Sequence, residues 1–265
     1  MTARHLVGLD AIMTTMHTAR FGTDTSAAVL LLHGGGVAGW MWTSLRQHLE
    51  STHLVLVPDL PGHGKSADEP YRSHAATVDA LATMLSRNAE GPVTVIGFSL
   101  GAQIAMQLAS EHPHLVSRAM ILSAQARPIP FMRLTLHALA ISAPLARRRW
   151  FARLQGRELF IPPELMEEYI ATSAGITRPT LLKAVEENMR FQIPTEWPAF
   201  PGVALVLAGR KERAVMRESA TAIQAALPDS ALELVDGAGH GLPLQCAEWF
   251  NARVSSWLSA STPAA

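Results

Sequence analysis

The stretch TVIGFSLGAQIAMQLA, residues 94–109, contains the junction that decides the fold. An apolar run typical of a β-strand stops at Gly97, and an apolar, helix-like segment begins directly after Ser99. Glycine tolerates unusual dihedral angles and close backbone approach, so Gly97 and Gly101 predict a tight turn from strand to helix. Such a turn places the Ser99 hydroxyl at the edge of the sheet, beside the free N–H groups of the helix N-terminus.

A serine in this position has two interpretations. The spacing of Gly97, Ser99 and Gly101 matches the G-x-S-x-G turn that presents a nucleophilic serine. The alternative is a Gly-Ser turn that only caps a helix. The strand before the motif and the helix after it favour a nucleophile. Such a serine needs a base, an acid that orients the base, and donors that stabilise an oxyanion.

Composition narrows the classes of protein. With 265 residues and 48% hydrophobic content, the chain is long enough for one large domain with an inserted subdomain. A formal net charge of zero gives no indication of a nucleic-acid partner. The single cysteine, Cys246, rules out an intramolecular disulfide and a cysteine-based zinc site, so we expect no metal and no cofactor. Without a signal peptide or an apolar run of transmembrane length, we expect a cytoplasmic protein with no stable membrane association.

Strand-like and helix-like segments alternate along most of the chain, which predicts an α/β fold with a mostly parallel sheet and helices on both faces. Strands are predicted at 28–32, 53–57, 93–97, 116–122, 203–208 and 231–235, and helices at 40–49, 73–88, 100–112, 214–227 and 246–258. The alternation stops after residue 126, where only helical segments follow. We therefore predict a core domain of residues 1–126 and 198–265, and a helical cap of residues 127–197.

Distinctive motifs follow several of the predicted strands, at the edge where α/β sheets bind ligands. They are HGGG at 33–36, DLPGHGKS at 59–66, GFSLG at 97–101 and GAGHG at 237–241. In this order and spacing, from about residue 28 to 258, the chain resembles the α/β-hydrolase fold superfamily. The resemblance implies a catalytic triad in the chain order serine, acid, histidine.

The resemblance assigns Ser99 as the nucleophile and His240 as the general base. The acid is the position where the chain departs from the family, which usually has aspartate after the corresponding strand. Here Glu212 occupies that place, and its alternative interpretation is a surface charge beside Lys211 and Arg213. Asp236 and Asp229 are the other candidates, but they are expected at a strand end and in a turn. We predict Glu212 as the acid.

Backbone N–H groups of Leu100 and Gly35, with Gly36 as neighbour, are the expected oxyanion donors. His33, His63 and Asp59 belong to turn motifs and are expected to be structural. The serine at position 99 disfavours the branch of the superfamily with an aspartate nucleophile. Carbon–carbon bond hydrolases usually have tryptophan after the catalytic histidine, whereas this chain has glycine there.

The expected substrate is a small or medium carboxylic ester with an apolar part, because the cap is rich in apolar residues that would roof the pocket. Those in its first segment are Phe131, Met132, Leu134, Leu136, Leu139 and Ile141. A ligand-binding or signalling protein of the same fold, with little turnover, stays open as an alternative, as does a carbon–carbon bond hydrolase, which we rank below ester hydrolysis. The sequence gives no indication of the oligomeric state.

Overall fold

The computed structural model describes residues 16–23, 27–127 and 131–260. A mostly parallel sheet forms the centre of this structure. Its strands are β1 (Thr18–Phe21), β2 (Ala28–Leu32), β3 (Leu54–Pro58), β4 (Val93–Phe98), β5 (Val116–Leu122), β6 (Val203–Gly209) and β7 (Ala231–Val235). They lie in the order β1-β3-β2-β4-β5-β6-β7, and only β1 runs antiparallel to its neighbour. The predicted α/β-hydrolase architecture is confirmed.

Helices cover both faces of the sheet, as continuous apolar strands require. In chain order they are α1 (Thr43–Leu49), α2 (His74–Asn88), α3 (Leu100–Glu111), α4 (Met132–Ser142), α5 (Arg149–Glu158), α6 (Met166–Gly175), α7 (Arg178–Arg190), α8 (Ala214–Ala226), α9 (Leu242–Gln245) and α10 (Ala247–Ser259). Successive residues of β2 point to opposite faces of the sheet and belong to two separate hydrophobic clusters. Leu30 and Leu32 are in the cluster with α2, α3 and α8, whereas Val29 and Leu31 are in the cluster with α1 and α10. Ser73 caps α2, and its Oγ accepts the N–H of Ala76 at 3.0 Å.

Two elements were not predicted from the sequence. β1 has four residues, TARF, which are mostly half-buried at the sheet edge, so it has no apolar run that would mark a strand. α9 is a single turn directly after the GAGHG motif. The helix predicted at 40–49 begins one residue earlier, as a 3-10 turn over Gly39–Trp42 that continues into α1.

Four α-helices, α4 to α7, fill the stretch between β5 and β6 that the sequence predicted to be helical. The C-terminal end of this stretch is tied to the sheet domain. Trp197 is fully buried, its indole N–H donates to the carbonyl of Ile223 at 3.1 Å, and its ring stacks on Phe200. The division into a core and a cap ending at residue 197 stays a prediction, and we call residues 131–190 the cap below.

Candidate active site

The strand–turn–helix junction has the tight geometry that its glycines predict. A Cβ at Gly97 would lie 2.3 Å from the carbonyl oxygen of Gly101, and one at Gly101 would lie 2.3 Å from that of Leu32. Ser99 sits at the apex with φ 52° and ψ −112°, a conformation that is costly for a residue with a side chain. Its N–H donates to the carbonyl of Leu122 in β5 at 2.8 Å. Packing on both sides therefore holds Ser99 in a strained turn between β4 and α3.

Ser99, His240 and Glu212 come together at the carboxyl edge of the sheet, although they are far apart in the sequence. Glu212 lies in the loop after β6, and His240 lies in the loop after β7. The Nε2 atom of His240 is 3.2 Å from Ser99 Oγ, and its Nδ1 atom is 2.8 Å from Glu212 Oε2. The three side chains thus form one continuous hydrogen-bonded series.

The Glu212 side chain has no solvent exposure, so it is not the surface charge that the sequence left open. Its Oε1 accepts hydrogen bonds from Ser123 Oγ at 2.7 Å and from the N–H of Gly209 at 2.8 Å. Burial alone raises the pKa of Glu212, but the hydrogen bonds from His240, Ser123 and Gly209 outweigh it, and the net effect lowers the pKa. Glu212 is therefore an ionised acceptor at neutral pH.

The charge on Glu212 determines the tautomer of His240. An ionised carboxylate only accepts hydrogen bonds, so the Nδ1 atom of His240 must donate to it. In the neutral imidazole, Nε2 then has no proton and accepts a hydrogen bond from the Ser99 hydroxyl. This is the arrangement in which a histidine is able to take a proton from the serine.

The competing carboxylates lie elsewhere. The Asp236 side chain is 85% exposed and pairs with Arg210. Asp229 is exposed in the turn before β7. Asp59, expected to be structural, accepts the backbone N–H groups of Gly39 at 2.7 Å and Lys65 at 2.8 Å, and so joins two loops.

The expected oxyanion donors lie around Ser99. Leu100 is the first residue of α3, so its N–H has no intrahelical acceptor four residues back. Gly35 and Gly36 border the same cavity as Ser99 and Leu100, and Gly36 has a φ of 82°, which favours glycine. Two loops therefore bring backbone groups to the cavity wall beside the serine.

His33 holds the HGGG loop in place through hydrogen bonds, in line with the structural role expected from the sequence. Its Nδ1–H donates to the carbonyl of Gly34 at 2.8 Å, and its Nε2 accepts the N–H of Leu60 at 2.9 Å. Burial is the main reason that its pKa falls to about 3, with the charge of nearby His63 adding to the effect. His33 is neutral at physiological pH and links the HGGG loop to the loop after β3.

Two further histidines, His63 and His74, are also buried, and burial lowers the pKa of each. We call these two and His33 the buried histidines. His74 belongs to a hydrogen-bond network that connects the core to the cap. Its Nε2–H donates to Gln103 Oε1 of α3 at 2.9 Å. The same oxygen accepts the side-chain amide of Asn188 in α7 at 3.1 Å. A buried polar network therefore anchors α7 above α3.

A cavity of about 760 Å³ opens at Ser99 between the sheet edge and the cap. Its floor includes His63, Ser99 and Leu100. Most of its remaining wall comes from α4 to α7, through residues that include Leu139, Phe151, Tyr169, Ile176, Leu181 and Asn188. The expectation that apolar cap residues border the pocket is right for Leu139, but Met132 and Leu136 are not part of the wall. Both side chains belong to α4 and are half-buried without lining the cavity.

The large side chains that follow the HGGG loop, Trp40, Met41 and Trp42, differ in where they pack. Met41 and Trp42 are buried in the core with α10, so they are not pocket wall. Trp40 is half-buried, and its indole N–H donates to Thr172 Oγ1 in α6 at 2.9 Å. Trp40 thereby ties the loop after β2 to the cap.

Sequence reasoning missed Ser123 and Gln103. Ser123 directly follows β5, the strand between β4 and β6, so its place in the chain already puts it at the candidate site's edge of the sheet. Gln103 gives a different signal: it is the polar residue within the otherwise apolar first half of α3, residues 100–106, and it is fully buried. A polar side chain in such surroundings requires hydrogen-bond partners.

Other kinds of site find little support in the part of the chain that the structure describes. Residues 16–23, 27–127 and 131–260 contain no group of three or more histidine, cysteine or acidic side chains placed to hold a metal ion. Within the same ranges, every helix is too short or too polar to cross a bilayer.

Proteins with similar sequences include a lipase and an esterase. Lipase LipV of Mycobacterium tuberculosis is 37% identical over 107 residues, which cover 40% of this chain and 41% of the lipase. The chain thus matches less than half of that lipase's length. The pimeloyl-[acyl-carrier protein] methyl ester esterase of Aromatoleum aromaticum is 28% identical over 234 residues, 85% of either chain.

Solved structures share the fold. The esterase EaEST of Exiguobacterium antarcticum superimposes with a TM-score of 0.80 over 92% of this chain and 96% of its own, at 20% identity. Residues 29–253, most of the chain, match the sequence profile of the alpha/beta hydrolase family. The chain therefore belongs to the alpha/beta hydrolase family.

Proposed function

We propose that this protein is a serine carboxylesterase that cleaves small or medium esters through an acyl-enzyme. The observation that carries the proposal is the hydrogen-bonded series from Ser99 through His240 to the buried Glu212, beside a mostly apolar cavity that Ser99 lines. The esterase- and lipase-like relatives support the same class of reaction.

In the first half of the reaction, Ser99 Oγ attacks the ester carbonyl carbon while its proton passes to Nε2 of His240. The carbonyl oxygen becomes an oxyanion and accepts the N–H groups of Leu100 and Gly35. Glu212 stays ionised and stabilises the imidazolium through Nδ1. One oxyanion donor of this kind contributes roughly 3 kcal/mol to the transition state.

In the second half, the imidazolium gives its proton to the alkoxide oxygen, and the alcohol leaves. Ser99 then carries the acyl group. Water attacks this ester, again with His240 as the base, and the carboxylic acid departs as Ser99 recovers its proton. No step needs a redox partner or an external acid, because one water molecule balances the overall reaction.

The cavity suggests the substrate class. Its volume of about 760 Å³ lies within the usual range for small-molecule sites, and its wall is mostly apolar. We infer that the acyl or alcohol part is an apolar group of small or medium size. Because α4 to α7 supply most of the wall, the cap governs which ester fits, whereas Ser99 and its partners govern the chemistry.

Ser99→Ala tests the proposal, with Ser142→Ala as a matched control because Ser142 lines the same cavity. We expect Ser99→Ala to lower kcat for p-nitrophenyl butyrate by about 10⁴- to 10⁶-fold and to abolish labelling by a fluorophosphonate. Ser142→Ala keeps both activities. Turnover or labelling that persists in a folded Ser99→Ala protein contradicts the assignment.

The alternative, a ligand-binding protein with little turnover, gives a different result in the same assay. The wild-type protein would then hydrolyse neither p-nitrophenyl acetate nor p-nitrophenyl butyrate above the rate of Ser99→Ala. Fluorophosphonate labelling of Ser99 without turnover would indicate a reactive serine whose acyl-enzyme is not released.

A further inference from the structure

The cap has large apolar side chains on its outer side that no described element covers. We call them the outer cap face: Phe131 (80% exposed), Leu134 (68%), Ile141 (71%), Trp150 (63%) and Leu154 (51%). Leu134 and Ile141 lie seven residues apart on α4, and Trp150 and Leu154 lie four apart on α5, so each pair shares one side of its helix. Each of the two helices thus has an exposed apolar side, and exposed apolar patches are typical of interaction surfaces.

The same two helices have a second apolar side that faces the cavity. Leu139 of α4 and Phe151 of α5 line it. Packing over the active site therefore explains those two side chains. It does not explain Leu134 or Trp150, which point away from the protein interior. The cap is thus apolar on the side toward the substrate and on the side toward solvent.

The charge of this segment shows what kind of partner would cover the outer cap face. Residues 131–158, from the start of the cap to the end of α5, contain six arginines and one acidic residue, Glu158, although the whole chain has zero formal net charge. Arg149 and Arg153 pair with Glu167 of α6. Arg133, Arg148 and Arg157 are exposed and form no ion pair with any other residue that the structure describes. Whole-chain composition conceals this local excess of positive charge.

We propose that the outer cap face binds reversibly to anionic lipid surfaces. Helices that lie in a membrane interface combine large apolar and aromatic side chains with arginine or lysine, and anionic lipids attract the basic residues. The contact is peripheral, so it needs no membrane-spanning helix and is compatible with the absence of stable association that the sequence led us to expect.

A second copy of the chain is a poorer occupant for this surface. A twofold dimer places the same patch of both subunits face to face, so arginines of one copy would lie near arginines of the other. An anionic surface instead supplies the opposite charge to every exposed arginine.

Vesicle sedimentation with the full chain tests the proposal, and Ser99→Ala makes the measurement independent of any ester hydrolysis. We expect the protein to sediment with phosphatidylcholine–phosphatidylglycerol vesicles and to stay in solution with phosphatidylcholine alone. Binding should weaken by at least tenfold as salt rises from about 0.1 M to 1 M, where the Debye length falls from about 10 Å to 3 Å. Absence of sedimentation, or equal sedimentation with both vesicle types, overturns the proposal.

Two sets of variants locate the surface. The triple change Leu134→Ser, Ile141→Ser and Trp150→Ser removes apolar contacts, and its matched control is Trp249→Ser, an exposed tryptophan (38%) on α10 of the core. We expect the triple change to reduce vesicle binding at least tenfold, whereas the control stays within twofold of wild type. Equal losses in both variants overturn the proposal.

The second set changes only charge, so it leaves the apolar packing of the cap intact. Its members are Arg133→Gln, Arg148→Gln and Arg157→Gln together, against Lys65→Gln, Arg72→Gln and Arg210→Gln on the core. The cap set should lose binding to anionic vesicles, and the core set should keep it. A dimer that disappears in the apolar triple variant, together with no vesicle binding, would assign the surface to a second copy and refute a lipid partner.

Discussion

Replacing Glu212 by glutamine tests whether a buried carboxylate sets the tautomer of His240. Glutamine has nearly the same shape, but one of its two terminal atoms is a donor. The N–H of Gly209 is an obligate donor to Oε1, so the amide oxygen must occupy that site. The amide NH₂ group then faces Nδ1 of His240, which has to accept instead of donating.

The consequence appears at the other side of the ring. If Nδ1 accepts, the proton of the neutral imidazole lies on Nε2. The Nε2 atom, 3.2 Å from Ser99 Oγ, is then unable to accept a hydrogen bond or a proton from the serine. The corresponding change from acid to amide in a serine triad costs about 10⁴ in kcat, which is about 5 kcal/mol of activation free energy. We therefore expect Glu212→Gln to lower kcat for p-nitrophenyl butyrate by about 10⁴-fold with a small change in KM.

Two further variants make this result interpretable. Glu212→Asp keeps an ionised acceptor but shortens its reach by one methylene, so part of the activity should survive. Asp236→Asn removes an exposed carboxylate that is close to His240 in the sequence, and it should leave kcat within twofold of wild type. A folded Glu212→Gln protein with kcat within tenfold of wild type would refute the reasoning, as would loss of activity in Asp236→Asn alone.

Further predictions concern the surroundings of the site. Ser123→Ala removes one hydrogen bond to the Glu212 carboxylate, which is worth about 1.5–3 kcal/mol, so kcat should fall by roughly 10- to 100-fold. Because that hydrogen bond also lowers the pKa of Glu212, activity should be lost at a higher pH than in wild type as the pH is lowered. Leu139→Trp fills part of the cavity and should shift the preference of kcat/KM toward shorter p-nitrophenyl esters, whereas Leu134→Trp, on the outer cap face, should not. The unfolded chain protonates its histidines below pH ~6.5, whereas in the folded state burial brings the pKa of His33 to about 3 and lowers those of His63 and His74, so stability is full above that pH and falls below it. Urea unfolding at pH 5 should therefore give a stability lower than at pH 7 by at least about 2 kcal/mol; equal stability would contradict the burial of these rings.

The regular part of the fold could be predicted from the sequence because the central strands are mostly apolar and buried. β2, β5 and β7 have the predicted limits, and the other three predicted strands agree to within one residue at each end. β1 could not be predicted in this way. It is an edge strand that depends on backbone pairing with β3 rather than on burial of its own side chains, and pairing leaves no signature in a four-residue stretch.

The candidate site divides along similar lines. Ser99 and His240 lie in glycine-containing turns, and their surrounding residues mark them in the sequence. Glu212 lies among charged residues, and its burial depends on donors from elsewhere in the fold. Ser123 comes from a strand that has no motif at its end. The structure supplies these long-range contacts, whereas the sequence shows only the short-range pattern.

The contacts of Glu212 bear on how, in the proposed triad, glutamate would orient His240 from a position where the family usually has aspartate. The additional methylene adds one rotatable bond, and a freely rotating carboxylate would lose orienting power over the histidine. Here Ser123 and Gly209 both bind Oε1, which restricts that rotation and leaves Oε2 directed at Nδ1 of His240, 2.8 Å away. The hydrogen bond from Ser123 therefore restricts the orientation of the glutamate carboxylate, whereas the shorter aspartate side chain is restricted because it has fewer rotamers. On this reasoning, Ser123→Ala should impair the Glu212 protein more than it impairs Glu212→Asp, and equal losses in kcat for the two backgrounds would contradict it.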